Sequence, residues 1–218
     1  MKNVIVCKKK IIFIFNFDKT ILLRFNLPGG EDVGDEEIIF DAGNYDSPTF
    51  KIENGIITFE SLVKDEYIKK TRCVSKKGIS FQTLWGLFRK YAIADTPLSF
   101  TLREGILTAL KEDLSHVEIH YDNGIKVVQK DIFSGVITEI EERKTNLNLS
   151  QDELEPFEPI GLRTVDLIAL FNFDKAVKFS FSPGANFFVV EGLSAQIMKG
   201  VVSWCLYDEL GTFNVLGG

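Results

Sequence analysis

His116 and His120 stand four residues apart in HVEIHY, a stretch whose alternation puts both on one side of a strand. Two imidazoles so placed are half of a metal site, but a third ligand is needed. No CxxC pair or Cys/His cluster supplies one, so a structural role fits both histidines better. Asp113, Ser115 and His116 have the residue types of a nucleophilic triad. They lie side by side in one turn, however, whereas a triad needs groups converging from separate segments. Cys73 has no base beside it. The three cysteines (Cys7, Cys73 and Cys205) are odd in number and widely spaced, which supports neither a disulfide framework nor a zinc site and fits a reducing compartment. No Walker or Rossmann glycine pattern is present; Gly29-Gly30 reads as a turn and Gly217-Gly218 as a tail. These residues carry no enzyme signature and require no cofactor.

The cations give a second pattern. Residues 79–94, ISFQTLWGLFRKYAIA, have helical periodicity, with Phe81, Leu84, Trp85, Phe88, Tyr91 and Ala92 on the apolar side. Gln82, Gly86, Arg89 and Lys90 fall on the other side. Ser80 is placed to cap the helix, and Asp95-Thr96-Pro97 ends it. The plainest reading of Arg89 and Lys90 is a solvated helix face. Lys8-Lys9-Lys10 interrupts the N-terminal apolar run, which also lacks a small-residue cleavage site, so that run is not read as a signal peptide. The three lysines read as a guard on an edge strand or as a basic turn.

The elements around these groups are mostly strands. The 218 residues suffice for one large domain or two small ones. The 19 phenylalanines suit strands packed on one face, and a net charge of −6 argues against non-specific nucleic-acid binding by bulk charge, leaving only a local basic patch. No apolar stretch approaches the roughly 18 residues that span a bilayer. Strands are expected at 10–17, 20–27, 37–41, 49–53, 56–60 and 67–74, with a hairpin at Asn54-Gly55. More are expected at 98–102, 106–111, 116–121, 125–129 and 133–141, with a turn at Asp122-Asn123-Gly124. Residues 142–159 read as a polar connection with one short strand at 147–149. A helix over 161–171 then leads into strands at 178–182, 187–190 and 201–206. Together these make an α+β fold of antiparallel sheets with helices on one face. Helix-plus-three-strand units recur at 79–121 and 161–206. The segment FNFDK at 15–19 returns at 171–175; a true duplication would make the residues before Phe15 the counterpart of the second helix, which their β-branched content opposes.

This order of elements resembles one domain of a DNA sliding clamp of the proliferating-cell-nuclear-antigen type. GILTALKEDLSHVEIHY, 105–121, carries the closest likeness, with Asp113-Leu114-Ser115-His116-Val117 in place of the family's turn between its second and third strands. Phe187-Phe188-Val189-Val190-Glu191 followed by Val201-Val202-Ser203-Trp204-Cys205-Leu206 is similar to its closing hairpin. The resemblance covers about residues 72–207. It departs from the family in the short chain, in the lack of a first helix within 1–70, and in the missing proline after Leu206; a divergent viral or mobile-element clamp accounts for all three.

The resemblance implies two parts, an abbreviated clamp-like β-rich domain at 1–70 and a clamp-like domain with two helices at 71–218. It implies a non-enzymatic polymerase processivity factor, intracellular, forming a homo-oligomeric ring, expected to be a trimer, around double-stranded DNA. The partners it implies are a DNA polymerase and a clamp loader, with no membrane. The residues it turns toward DNA are Gln82, Arg89, Lys90 and Arg163, with Lys8, Lys9 and Lys10. Two other readings stay open: a viral or plasmid β-rich structural or interaction protein without a DNA role, and a checkpoint- or transcription-type clamp relative.

Overall fold

The computed structural model describes residues 3–27, 32–43, 49–53, 56–63, 66–73, 78–94, 96–111, 113–121, 125–142, 159–182, 184–193 and 198–203. Four strands open the chain: β1 (Asn3–Lys8), β2 (Ile11–Asn16), β3 (Ile21–Asn26) and β4 (Ile38–Gly43). Strands β5 (Thr49–Glu53), β6 (Ile56–Val63) and β7 (Glu66–Cys73) form a three-stranded sheet of their own. Helix α1 (Phe81–Ala92) precedes β8 (Leu98–Arg103). Then come β9 (His116–Tyr121), β10 (Ile125–Asp131), β11 (Val136–Glu142) and β12 (Ile160–Arg163). Helix α2 (Thr164–Phe171) leads into β13 (Ala176–Phe181), β14 (Phe187–Gly192) and β15 (Lys199–Ser203). The largest sheet has eight strands in the order β4-β1-β2-β3-β15-β14-β13-β8, and a four-stranded sheet has the order β11-β10-β9-β12. All neighbours are antiparallel, so the fold class is α+β with antiparallel sheets and two helices among the described residues.

The eight-stranded sheet is buried on both faces over much of its width, which explains why its strands are apolar at successive positions. In β2, Phe13 and Phe15 face α1, while Ile12 faces the opposite core. On the α1 side, Leu84, Phe88 and Tyr91 pack on Val4, Val6, Phe13, Phe15, Leu22 and Val201. Phe13 lies 5.2 Å from Phe81 and 5.9 Å from both Trp85 and Phe88, centroid to centroid. On the other side, the four-stranded sheet contributes Val117, Ile119, Val127 and Leu162, and α2 contributes Leu167, Leu170 and Phe171. At its centre Phe100 stacks on Phe179 at 5.1 Å, and Phe188 meets both edge-on. Burying each such ring stabilises by about 1.5–3 kcal/mol. The two helices therefore take opposite faces of the long sheet, not the shared face read from the sequence.

Other differences have local causes. The strand expected at 106–111 is a 3-10 helix, Glu104–Thr108. Its carbonyls are satisfied nearby, with Ala109 N–H donating to Ile106 O at 3.0 Å and Thr108 Oγ1 to Gly105 O at 2.8 Å. The backbone of Lys111 is held by the Gln129 side chain, which accepts from its N–H at 2.8 Å and donates to its carbonyl at 2.9 Å. No ladder partner is required. The first helix-plus-three-strand unit therefore does not form: β8 joins the long sheet and β9 joins the smaller one. The second unit does form, although α2 begins at Thr164. Residues 160–163 instead alternate in burial and pair with β9. The segment before Phe15 is strand, as its β-branched content indicates, so the FNFDK repeat has no helical counterpart of α2 there; the strand expected from 133 begins at Val136 after a turn built on Asp131. Asn54-Gly55, Asp122-Asn123-Gly124, residues 147–149 and the 204–218 tail lie outside the described residues.

Candidate nucleic-acid interface

The start of α1 is doubly capped. Ser80 Oγ accepts from Thr83 N–H at 3.1 Å, as its sequence position suggests, and Glu37 Oε2 accepts from Phe81 N–H at 2.9 Å. A carboxylate thus already occupies the positive end of the helix dipole. Anything anionic must meet α1 through its side chains. Burial of Leu84, Phe88 and Tyr91 turns Gln82, Gly86, Arg89, Lys90 and Ile93 to solvent, and α1 contains no acidic residue. At 3.6 residues per turn, Gln82 and Arg89 lie within about 20° of each other, and Lys90 about 100° further round. This face offers amide and guanidinium donors with a net positive charge, suited to phosphate oxygens and blind to base identity.

The other sequence-predicted cations are placed differently. Arg163 stands at the N-cap position of α2 without a capping side-chain hydrogen bond, on the opposite face of the long sheet from α1. Its Nη2 donates to Asp18 Oδ2 at 2.6 Å, and its Nε lies 4.0 Å from Asp166 Oδ2. The α2 helix itself buries Thr164, Asp166, Leu167, Ala169, Leu170 and Phe171, leaving no polar face. Lys9 and Lys10 form the two-residue turn between β1 and β2, with Lys8 closing the strand opposite Ile11. Because β1 runs between β4 and β2, these lysines guard no sheet edge. Lys9 takes a left-handed φ of 53° and pairs with Asp35 at 3.0 Å. The structure thus gathers Gln82, Arg89 and Lys90 on one helix and sets Arg163 apart from them.

Asp166 belongs to a buried polar knot that the sequence did not disclose. Its Oδ1 accepts from Thr20 Oγ1 at 3.0 Å and from Asn16 Nδ2 at 3.4 Å. Asn16 Oδ1 in turn accepts from the N–H groups of Thr20 and Ile21, both at 2.9 Å. Burial pushes the Asp166 carboxyl up to about 6, against the bond from Thr20 and the attraction of Arg163, with Asp18 adding to the rise.

The histidines take no catalytic geometry. His120 Nε2 and Lys130 Nζ both contact Glu118 Oε2 at 2.8 Å, and Ser115 Oγ lies 2.9 Å from His116 Nδ1 on an exposed surface. Among the described residues no group of three or more His, Cys, Asp or Glu is arranged to hold a metal ion. The Cys7 thiol is buried and pushed up to about 12 by that burial, which makes it inert. No helix among the described residues is long and apolar enough to cross a membrane.

Arg24 of β3 is a residue that sequence reasoning passed over. Its guanidinium carbon sits 5.4 Å from the Trp85 ring centroid and 5.9 Å from that of Phe88. The signal that could have found it is a lone cation inside the largely apolar strand ILLRFN.

No protein-family model matches the sequence, and no curated protein does. Solved structures do match. The Entamoeba histolytica proliferating cellular nuclear antigen aligns over 93% of this chain and 88% of its own, with a TM-score of 0.56 and 9% identity. The DNA polymerase III β chain of Streptococcus pneumoniae aligns over 93% of this chain and 56% of its own, with a TM-score of 0.56 and 14% identity. This is the sliding-clamp fold. The Helicobacter pylori β clamp bound to a DNA ligase peptide agrees, with a TM-score of 0.57 at 11% identity over 92% of this chain and 56% of that one. The chain thus spans little more than half of these bacterial clamps, and at such identities what is shared is the fold.

Proposed function

We propose that the protein is a DNA sliding clamp, a processivity factor that encircles duplex DNA and tethers replication proteins to it. The observation that carries this reading is the combination of a clamp fold with α1, a helix anchored by one face whose other face carries cations and no acid. In this reading the clamp performs no catalysis and needs no cofactor. Its action is topological: a closed ring stays on the duplex, so a DNA polymerase bound to it remains at high effective concentration. A separate loader opens the ring, and the protein works inside the cell, in a reducing compartment. The ring is a homotrimer closed head to tail. Strands β4 and β8, the two ends of the long sheet, supply backbone groups that suit edge-to-edge closure. The division into an abbreviated part at 1–70 and a two-helix part at 71–218 belongs to the same proposal, with β1–β3 and β13–β15 sharing one sheet across it.

The test is retention on DNA. The protein should stay on nicked circular DNA and be lost when the circle is linearised, and light scattering should give about 74 kDa, three times the 24.6 kDa chain. Arg89→Glu with Lys90→Glu should reduce retention at least tenfold with the oligomer intact. Unchanged retention would remove α1 from the interface. A second reading, a β-rich interaction protein without a DNA role, is favoured by one observation. The hairpin between β10 and β11 presents Ile132 at 82% and Phe133 at 94% exposure, as a protein-docking knob would. That reading predicts no retention on either form of DNA.

A further inference from the structure

The ladder of the long sheet defines a row of residues running across the strands on the face that carries α1. In register it reads Ile39, Val6, Phe13, Arg24, Lys199, Glu191, Lys178 and Thr101, each directly opposite the next. The first three lie beneath α1 in its apolar core. At Arg24 the row changes character, and from there it carries three cations and one acid.

Arg24 marks the join. Its guanidinium lies against Trp85 and Phe88 of α1, and Nη2 donates to Asn26 Oδ1 at 3.1 Å. Its buried Nε has no hydrogen-bond partner among the described residues. A guanidinium held this way loses little further freedom on meeting an anion, and its remaining donors stay available. On α1 itself Arg89 projects within about 40° of Trp85, on the same flank as Gln82. Lys199 continues the row, paired with Glu191 at 3.3 Å with both side chains nearly half exposed. Such a pair is weak and exchanges readily for a phosphate. Lys178 follows on β13. Strand spacing of about 4.8 Å puts Arg24 and Lys178 about 14 Å apart along the row.

We infer that the phosphodiester-binding surface extends beyond the outer face of α1: it runs from Arg89 over Trp85 to Arg24 and on across the sheet through Lys199 and Lys178. This rests on the proposed DNA-clamp reading. The partner is the sugar-phosphate backbone of duplex DNA. Every donor in the strip is a cationic side chain on a regular element, so the strip fixes the position of the duplex and reads no sequence.

The experiment measures co-sedimentation of the intact protein with a labelled nicked circular duplex, which has no ends to slide off, between 50 and 200 mM salt. Neutralising one phosphate contact should lower the slope of log affinity against log salt by about 0.9. Arg24→Gln, Lys199→Gln and Lys178→Gln should each lower it by about that amount, and Lys130→Gln, on the outer face of the smaller sheet, should leave it unchanged. Arg24→Lys, which keeps the charge but not the planar stacking, should hold the slope and weaken binding at every salt. A second readout does not depend on the variants folding equally well. With Trp204→Phe, Trp85 is the sole tryptophan of the two in the chain, and duplex should change its emission. Suppose Arg89→Glu with Lys90→Glu abolishes binding while the three Gln variants keep the wild-type slope. The strip is then wrong and the clamp reading stands. If the unmodified protein binds no duplex, both fall.

Discussion

Replacing Asp166 by Asn should stabilise the protein at neutral pH and much less in acid. The folded-state value of this carboxyl, about 6, lies above the ordinary 3.8, so the folded protein holds its proton where the unfolded chain has released it. Between those values stability falls as pH rises, and above about 6 the loss is complete. At 1.36 kcal/mol per unit, ionising Asp166 costs about 3 kcal/mol at pH 8 and about 1 kcal/mol at pH 4.5. Asparagine keeps an oxygen to accept from Thr20 and Asn16 and carries no charge into the buried site. The charged groups facing it, Asp18 and Arg163, are already joined at 2.6 Å. The gain over wild type should therefore be about 2 kcal/mol larger at pH 8 than at pH 4.5. In a chain of this size that is a difference of roughly 4–8 °C in the melting-temperature shift. Urea or thermal unfolding of both proteins at the two pH values measures it. A gain equal at both pH values, or a loss at pH 8, would refute the reasoning, because attraction to Arg163 would then outweigh burial.

Two further variants test packing. A Cβ added at Gly200 would meet Leu23 Cδ2 at 2.5 Å and the carbonyl oxygen of Leu22 at 2.6 Å, so Gly200→Ala should cost about 1–3 kcal/mol in a denaturant titration, whereas Gly161→Ala, with open space around it, should change stability by less than about 0.5 kcal/mol. Phe133→Ser should leave the melting temperature unchanged, because the turn is held by Asp131, which accepts from the N–H groups of Phe133 and Ser134 at 3.0 and 3.1 Å, and not by the exposed ring; a loss above about 1 kcal/mol would show that the ring is packed.

Local signals were legible where the chemistry was local. The start of α1 follows from Ser80 and the buried spacing of Leu84, Phe88 and Tyr91, and β13 from the alternation of Val177, Phe179 and Phe181. Residues 106–111 misled because apolar composition does not distinguish a strand from a 3-10 turn whose carbonyls are satisfied nearby. The site divided the same way. Gln82, Arg89 and Lys90 share a helix and could be read together. Arg163 could not be placed, because its partner Asp18 is 145 residues distant in the chain. Arg24 was hidden for a related reason: its meaning lies in Trp85 and Phe88, on an element that only folding brings over it.

The pairing of β3 with β15 also sets the order in which the protein can be made. Leu22 and Leu23 meet Val201 and Gly200, so the strand that completes the sheet on this side leaves the ribosome long after β3 itself. Until then β1, β2 and β3 stand as a meander whose last strand has an unfilled side. Contacts of such long sequence separation fold slowly. During that wait the unpaired edge of β3 is open to other chains, and its one charge, Arg24, is the residue opposing such association. The same side chain would then guard the nascent chain before it serves the folded one.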